Sequence, residues 1–171
     1  MSSHPESGFT LVELVTVVAV AAVLTAIALP SFQGTMRSNR VATTTNEVLA
    51  SLAFARSEAI RSTRFSSVCG SQAGTACDGE WTQGWLVFAD RDGDGQLESN
   101  DTVLRFGQGN PKLSVGNPSG DVVTFDARGR RLSNADQVVV LQPDECGEQP
   151  LRRTLTINAS GQIRVQRGDC E

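Results

Sequence analysis

The sequence lacks tyrosine and holds one histidine, one lysine and four cysteines among its 171 residues. His4 is the only base available for Ser-His-Asp or Cys-His catalysis and the only histidine for a zinc site, and it lies in a segment that we expect to be removed. The cysteines form no Cys-x-x-Cys pair, which argues against structural zinc. These shortages predict a protein that is not an enzyme, with no catalytic residue and no required cofactor.

Excess positive charge is also missing, because 15 Lys+Arg stand against 19 Asp+Glu and give a formal net charge of -4. The chain therefore has no general attraction to nucleic acid, and DNA binding would need a local arginine patch. The length suits one modest domain with an appendage. The hydrophobic content of 39% is unevenly spread, since residues 14–29 contain no charge at all.

The N-terminal apolar segment spans 21 residues from Phe9 to Leu29, with Glu13 as its only charge. At about 1.5 Å per residue this helix would cross the hydrocarbon core of a bilayer, roughly 30 Å. A cleaved secretory signal is disfavoured, because the leader MSSHPESG has no Lys or Arg and no Ala-x-Ala site ends the run. A carboxylate in such a segment implies a partner. A free amino group at Phe9, created by cleavage after Gly8, would provide one.

The stretch Gly8-Phe9-Thr10-Leu11-Val12-Glu13, with its apolar helix and Pro30, resembles the start of type IV prepilins and pseudopilins. The resemblance implies that prepilin peptidase removes residues 1–8, that Phe9 is N-methylated, and that Glu13 pairs with the N-terminus of a neighbouring subunit. Pro30 would mark a kink or a locally melted stretch. The resemblance also implies a single-pass protein of the bacterial inner membrane with a periplasmic head. Its partners would include an inner-membrane assembly platform.

The rest of the chain predicts an α+β fold in which one long helix packs on antiparallel sheet. We expect a transmembrane or filament-core helix over 9–29, its amphipathic continuation over 30–62, and a β-rich globular head over 63–171. The buried stripe of the continuation consists of Val41, Thr45, Val48, Leu52, Ala55 and Ala59. Seven short alternating or β-branched runs predict strands: RFSSVC, GWLVFA, DTVLRF, DVVTFDA, QVVVLQ, RTLTIN and QIRVQR.

The four cysteines are typical of structural disulfides formed in an oxidising compartment. Cys69, Cys77, Cys146 and Cys170 allow three pairings. We favour Cys69–Cys77 with Cys146–Cys170, because these pairs join sequence neighbours around loops.

The acidic run at 90–101 matches much of a calcium-binding loop. Its candidate ligands, at loop positions 1, 3, 5, 7 and 12, are Asp90, Asp92, Asp94, the carbonyl of Gln96, and Asp101. Two features oppose calcium: the twelfth position is Asp rather than Glu, and the flanking segments are strand-like. A solvated hairpin loop is the alternative, since Asp-Gly pairs form turns without any metal.

The last arginines accompany a predicted C-terminal hairpin whose turn is Ala159-Ser160-Gly161. On its second strand Gln162, Arg164 and Gln166 share a polar face that could hold phosphates. An ordinary solvated strand face is the alternative, and without interleaved aromatics we expect no base stacking.

These downstream features resemble the GspH/FimT/FimU family of minor pilins and pseudopilins. The matching segments are ASLAFARSEAIRS, WTQGWLVF with the Asp-Gly-Asp-Gly loop, FDARGR and SGQIR. The resemblance implies a minor subunit that assembles with other minor and major pilins or pseudopilins. Two alternatives are a DNA-binding minor pilin for natural transformation and an H-type minor pseudopilin of type II secretion. For DNA, Gly161 and Arg164 match a Gly-Arg-x-Arg motif, Gln162 replaces its first arginine, and Arg167 is a candidate substitute.

Overall fold

The computed structural model describes residues 8–79, 81–116, 118 and 121–171, with only the backbone at 28–31. The predicted leader, residues 1–8, lies outside this part of the chain except for Gly8. The chain divides into two compact units, residues 1–36 and residues 37–171.

One helix, α1, runs over Leu11–Ser62. Its sequence is rich in Ala, Leu and Val, and Glu13 lies in the first turn while Arg61 lies in the last, both favourable to the helix dipole. The helix ends where Thr63 adopts a left-handed backbone with φ of 54°. The Arg64 amide then donates to the Ala59 carbonyl and closes the last turn.

In the part of the chain that the structure describes, eight strands form two antiparallel four-stranded sheets. Sheet 1 has the order β3-β2-β1-β5 and sheet 2 the order β4-β6-β7-β8. The strands are β1 Phe65–Gly70, β2 Gly84–Asp90, β3 Thr102–Gln108, β4 Leu113–Gly116, β5 Val122–Phe125, β6 Gln137–Pro143, β7 Arg152–Ile157 and β8 Ile163–Gly168.

The main core lies where the second part of α1 packs against both sheets. The whole predicted helix stripe is buried, from Val41 to Ala59. Trp85 of β2 is fully buried in this core, and its indole N–H donates to the Ser51 hydroxyl at 2.9 Å. A separate cluster of Cys69, Leu86 and Phe88 lies on the other face of sheet 1. The helix packs against the sheets through this apolar stripe, as an amphipathic helix does.

The predicted fold class, a long helix on antiparallel sheets, is confirmed. All seven predicted runs contain a strand, but β4 was not predicted. Its four residues, LSVG, are too short to show a clear alternation. They form a strand because Leu113 and Val115 face inward and the backbone pairs with β6.

Candidate functional site

Gly8 and Phe9 are the first residues that the structure describes, and both are exposed ahead of the helix. Phe9 is 85% exposed. Thr10 caps α1, because its hydroxyl accepts the Glu13 backbone N–H at 3.2 Å. The Glu13 carboxylate in turn lies 3.5 Å from the Thr10 amide nitrogen and 3.4 Å from its hydroxyl. Both distances are long for hydrogen bonds. The Glu13 carboxylate is thus held near the start of the helix and remains accessible.

The first part of α1 is long and apolar enough to cross a membrane, and the apolar stretch is not buried within the chain. Its large side chains are mostly more than half exposed. The polar side chains on this stretch bond to their own helix. Thr16 donates to the Glu13 carbonyl, and Thr25 donates to the carbonyls of Ala21 and Ala22. The surface offers aliphatic groups with satisfied hydroxyls, which suits lipid or another helix.

Pro30 lies within α1, whose backbone is helical from Leu11 to Ser62. A melted stretch is therefore not seen in this conformation. The kink and a role for Pro30 in assembly stay predictions.

The structure joins Cys69 to Cys77 and Cys146 to Cys170, the two pairs favoured by sequence proximity. The first disulfide ties a loop across the outer face of sheet 1. The second packs beside Val41, Leu113 and Leu151. Next to it, Arg37 of the helix pairs with Glu145 at 3.2 Å. The disulfide loops are thus anchored to β-structure and to the helix.

The acidic loop is organised around Asp90, which is fully buried at the end of β2. Its carboxylate accepts hydrogen bonds from the Ser67 hydroxyl at 2.8 Å, from the Gly93 amide at 2.6 Å and from the Gly95 amide at 3.0 Å. Gly93 and Gly95 have φ of 81° and 78°, a conformation that suits glycine. The Asp90 side chain therefore has a structural role that needs no metal.

Only part of the predicted calcium set comes together. Oxygens of Asp90, Asp92 and Asp94 lie within 4.8 Å of one another. Asp101 is not in that group; its two oxygens accept the amides of Arg91 and Glu98. The Gln96 side-chain amide donates to Asp94, and the predicted ligation by the Gln96 backbone carbonyl stays a prediction. Three carboxylates are the hard oxygen donors that calcium prefers, so the site stays a prediction, with Asp92 and Asp94 as its exposed ligands.

The candidate DNA residues do not form one patch. The hairpin of β7 and β8 is present, and Gly161 occupies its turn with φ of 76°. In the register of this hairpin Arg164 lies opposite Thr156, and Arg167 lies opposite Arg153. Positions 164 and 167 differ by an odd number, so their side chains project from opposite faces of sheet 2. Arg167 thus lies on the opposite face of sheet 2 from Arg164, and its role as a substitute for the missing arginine stays a prediction.

Two arginines, one buried and one half-buried, bind backbone carbonyls and were not predicted from the sequence. Arg131 is 4% exposed and donates to the Gln137 side chain and to the carbonyls of Ser133 and Ala135. Burial lowers the pKa of Arg131 from its ordinary value, and the Asp136 charge opposes that shift. Arg56 of α1 donates to the Gly129 carbonyl at 2.8 Å. Gly129 lies in the FDARGR segment, but the sequence pattern there does not indicate which side chain binds its carbonyl.

A long N-terminal helix, apolar and exposed at its start and packed on antiparallel sheets further on, defines the pilin-like class of filament subunits. Residues 44–161 match the family model of the type II transport protein GspH, and residues 3–29 match the prokaryotic N-terminal methylation motif. The first match spans more than half of the chain, and the chain belongs to the GspH family.

Solved structures of minor subunits share the fold. The type IV minor pilin FimU of Pseudomonas aeruginosa matches in two crystal forms, with TM-scores of 0.57 and 0.55, at 23% and 24% identity. The matches cover 75% and 72% of this chain and 89% and 90% of FimU. The minor pseudopilin EpsH of the Type 2 Secretion System of Vibrio cholerae matches with a TM-score of 0.50 at 15% identity, covering 75% of this chain and 97% of EpsH. The comparison with curated proteins gives no significant match.

Proposed function

We propose that this chain is a minor subunit of a type IV pilus or pseudopilus that assembles through its N-terminal helix. The observation that carries the proposal is an exposed aliphatic helix surface that begins with a methylation motif and one carboxylate. Exposed aliphatic area of this size is unfavourable in water, so the surface requires lipid before assembly and other helices afterwards. Other pilins or pseudopilins are the partners that supply such helices.

Glu13 supplies the specific contact in this proposal. Prepilin peptidase cleaves after Gly8. The new Phe9 amine is positively charged, and it keeps this charge after methylation. Within an apolar helix bundle an unpaired carboxylate costs several kcal/mol. The long contacts from Thr10 leave the Glu13 oxygens free to accept the amine of a neighbouring subunit. This pairing sets the axial position of one helix against the next.

The head is proposed to lie in the periplasm, with residues 9–29 spanning the inner membrane before assembly. Two disulfides support this orientation, because they form in oxidising compartments and seldom in the cytosol. The pilus and the type II secretion pseudopilus both accommodate this subunit. We propose a pilus as its filament. The alternative, a type II secretion pseudopilus, is supported by the name of the matching family, type II transport protein GspH.

The test compares Glu13→Ala with Glu47→Ala in cells that produce the chain. Glu47 is exposed on α1 beside the head. We expect both variants to be present in membranes, to lose residues 1–8 and to carry a methylated Phe9 by mass spectrometry. Glu13→Ala should be depleted from sheared filaments, while Glu47→Ala should be retained. Normal incorporation of Glu13→Ala would contradict the assembly mechanism.

A second measurement separates the two filament systems. Deleting the gene should remove surface pili if the chain belongs to a pilus. Normal pili with a loss of exoprotein secretion would favour the pseudopilus alternative.

A further inference from the structure

The four edge strands of the two sheets are protected to different extents. Unprotected edges expose backbone N–H and C=O groups to which another chain can pair. On β3 the ladder shifts register between Val87 and Phe88 of β2, and such an irregularity disfavours further pairing. On β5 the chain covers its own edge, since Arg131 bridges to Phe125 and the Leu132 amide donates to the Thr124 carbonyl.

The β4 edge is occupied by a side chain. The Thr82 hydroxyl accepts the Val115 amide at 3.2 Å and donates to the Val115 carbonyl at 3.0 Å. One threonine therefore uses both backbone groups that a partner strand would need at the centre of this four-residue strand.

No comparable protection is present on β8 in the part of the chain that the structure describes. Its six residues pair with β7 in unbroken register, and residues 164–167 are exposed. The Asn158 amide donates to the Gln162 carbonyl, which makes this a hydrogen-bonded pair. Because such pairs alternate along an antiparallel ladder, the backbone groups of Ile163, Val165 and Arg167 point away from β7.

The end of this edge also has unneutralised positive charge. Arg167 lies directly opposite Arg153. Arg153 is 7% exposed and donates to the carbonyls of Pro150 and Arg152. Among the described residues, no carboxylate lies within ion-pair distance of either guanidinium. Burial lowers the pKa of Arg153, and the charge of Arg167 lowers it further. Like charges directly opposite are unfavourable, and a carboxylate on an adjacent strand would relieve them.

We propose that β8 is an acceptor edge to which an extended acidic segment of another protein adds as a fifth strand of sheet 2, with a carboxylate beside Arg167. The backbone of the segment pairs with Ile163, Val165 and Arg167. The proposal does not depend on the filament role.

A second copy of this chain does not fit as the occupant. Pairing β8 with another β8 would bring four guanidiniums together without a carboxylate. The other edge strands, β3, β4 and β5, carry Arg105 as their only charge. Since the edge strands of a second copy supply no carboxylate, we assign the acidic strand to a different protein.

The direct test is amide hydrogen exchange on the full chain in detergent micelles with the peptide acetyl-Thr-Glu-Val-Glu-Val-Glu-Thr-amide. The amides of Ile163, Val165 and Arg167 should exchange fast in the free chain and slow at least about tenfold with peptide, because each gains a hydrogen bond. The amides of Arg164 and Gln166 serve as internal controls, since they already bond to β7. Unchanged exchange of the three outward amides up to about 1 mM peptide would overturn the proposal.

Variants separate strand pairing from simple charge attraction. Val165→Pro removes an outward N–H without removing a bond to β7, and Arg167→Gln removes the charge; each should weaken peptide binding about tenfold or more. Arg130→Gln, in an exposed turn, should leave binding within about twofold. Equal binding by a folded Val165→Pro variant would overturn strand addition. Duplex DNA that displaces the peptide and still binds Val165→Pro would show instead a polyanion site.

Discussion

Individual buried or half-buried polar side chains in this protein fix loops through hydrogen bonds to the backbone. Arg131, Arg153 and Arg56 each donate to main-chain carbonyls rather than to carboxylates. Asp90 does the reverse and accepts two backbone amides. A buried charge is costly unless its hydrogen bonds are made, so each of these residues fixes the conformation of the loop that it binds.

Replacing Arg131 should therefore destabilise the head. Arg131→Met leaves the Ser133 and Ala135 carbonyls and the Gln137 side chain without their donor, and we expect a loss of about 2–4 kcal/mol in the free energy of unfolding. Urea denaturation followed by the fluorescence of Trp81 and Trp85 measures it. Arg128→Met, in an exposed turn, should change stability by about 0.5 kcal/mol or less. Equal losses in the two variants would contradict the assignment.

A second prediction concerns the stability of Asp90 variants, measured in the presence of a calcium chelator. The Gly93 and Gly95 amides bond to different oxygens of Asp90, so Asp90→Asn places a donor against one of these amides, and we expect a loss of about 2–3 kcal/mol without any metal. Asp92→Asn, at an exposed position of the same loop, should have little effect. A stability loss for Asp90→Asn that appears only with calcium would show that its main role is as a ligand.

The predicted calcium site is tested separately by thermal unfolding with and without calcium. A site at Asp90, Asp92 and Asp94 predicts a higher melting temperature of the unmodified chain in calcium, because the ion binds the folded state. Asp94→Asn should remove this increase. Identical melting temperatures of the unmodified chain in both conditions would exclude the site.

At the scale of elements, the helix and the sheets are connected by packing, and the loops are closed by disulfides. The β1–β2 connection contains the short Cys69–Cys77 loop, with a sequence separation of 8. The C-terminal Cys146–Cys170 loop has a separation of 24 and encloses β7 and β8. Closing a longer loop removes more conformational freedom from the unfolded chain.

The two disulfides should therefore contribute unequally to stability. In the chain-entropy model, removing Cys69–Cys77 by paired serine substitution costs about 2.5 kcal/mol, and removing Cys146–Cys170 costs about 3.5 kcal/mol. Urea denaturation of the two double variants measures both losses, each relative to the unmodified oxidised chain. A larger loss for the short loop would show that native packing around Cys69, rather than loop closure, dominates.

At the scale of the whole molecule, charge gives no broad electrostatic attraction to DNA. The full sequence has 15 Lys+Arg and 19 Asp+Glu, which gives a formal net charge of -4. Removal of residues 1–8 would delete Glu6 and leave 18 acidic against 15 basic groups, a net charge of -3. Arginines are spread over different faces, as the positions of Arg164 and Arg167 show.

The DNA prediction can therefore be tested through the salt dependence of binding to a DNA duplex. Because their side chains lie on opposite faces, we expect a contact to use Arg164 without Arg167. Arg164→Gln should reduce the slope of log affinity against log salt by about 0.9, and Arg167→Gln should leave it unchanged. Gel shifts over a range of salt concentrations measure the slopes. Equal effects of both substitutions, or no binding at physiological salt, would contradict this contact.

The N-terminal helix, the buried stripe and most strands could be predicted from the amino-acid sequence. These features are local: hydrophobic periodicity and turn residues specify an element without knowledge of its neighbours. The methylation motif and Glu13 were visible for the same reason. The two disulfide pairs were favoured by proximity along the chain, which is also a local property.

Which residues share a surface became known from the folded structure. It separated Arg164 from Arg167, excluded Asp101 from the acidic group, and placed Arg56 and Thr82 against distant backbone. It also paired Arg153 with Arg167 at an open edge. These relations depend on strand order and register, which are set by how the whole core packs, and no single segment of sequence carries that information.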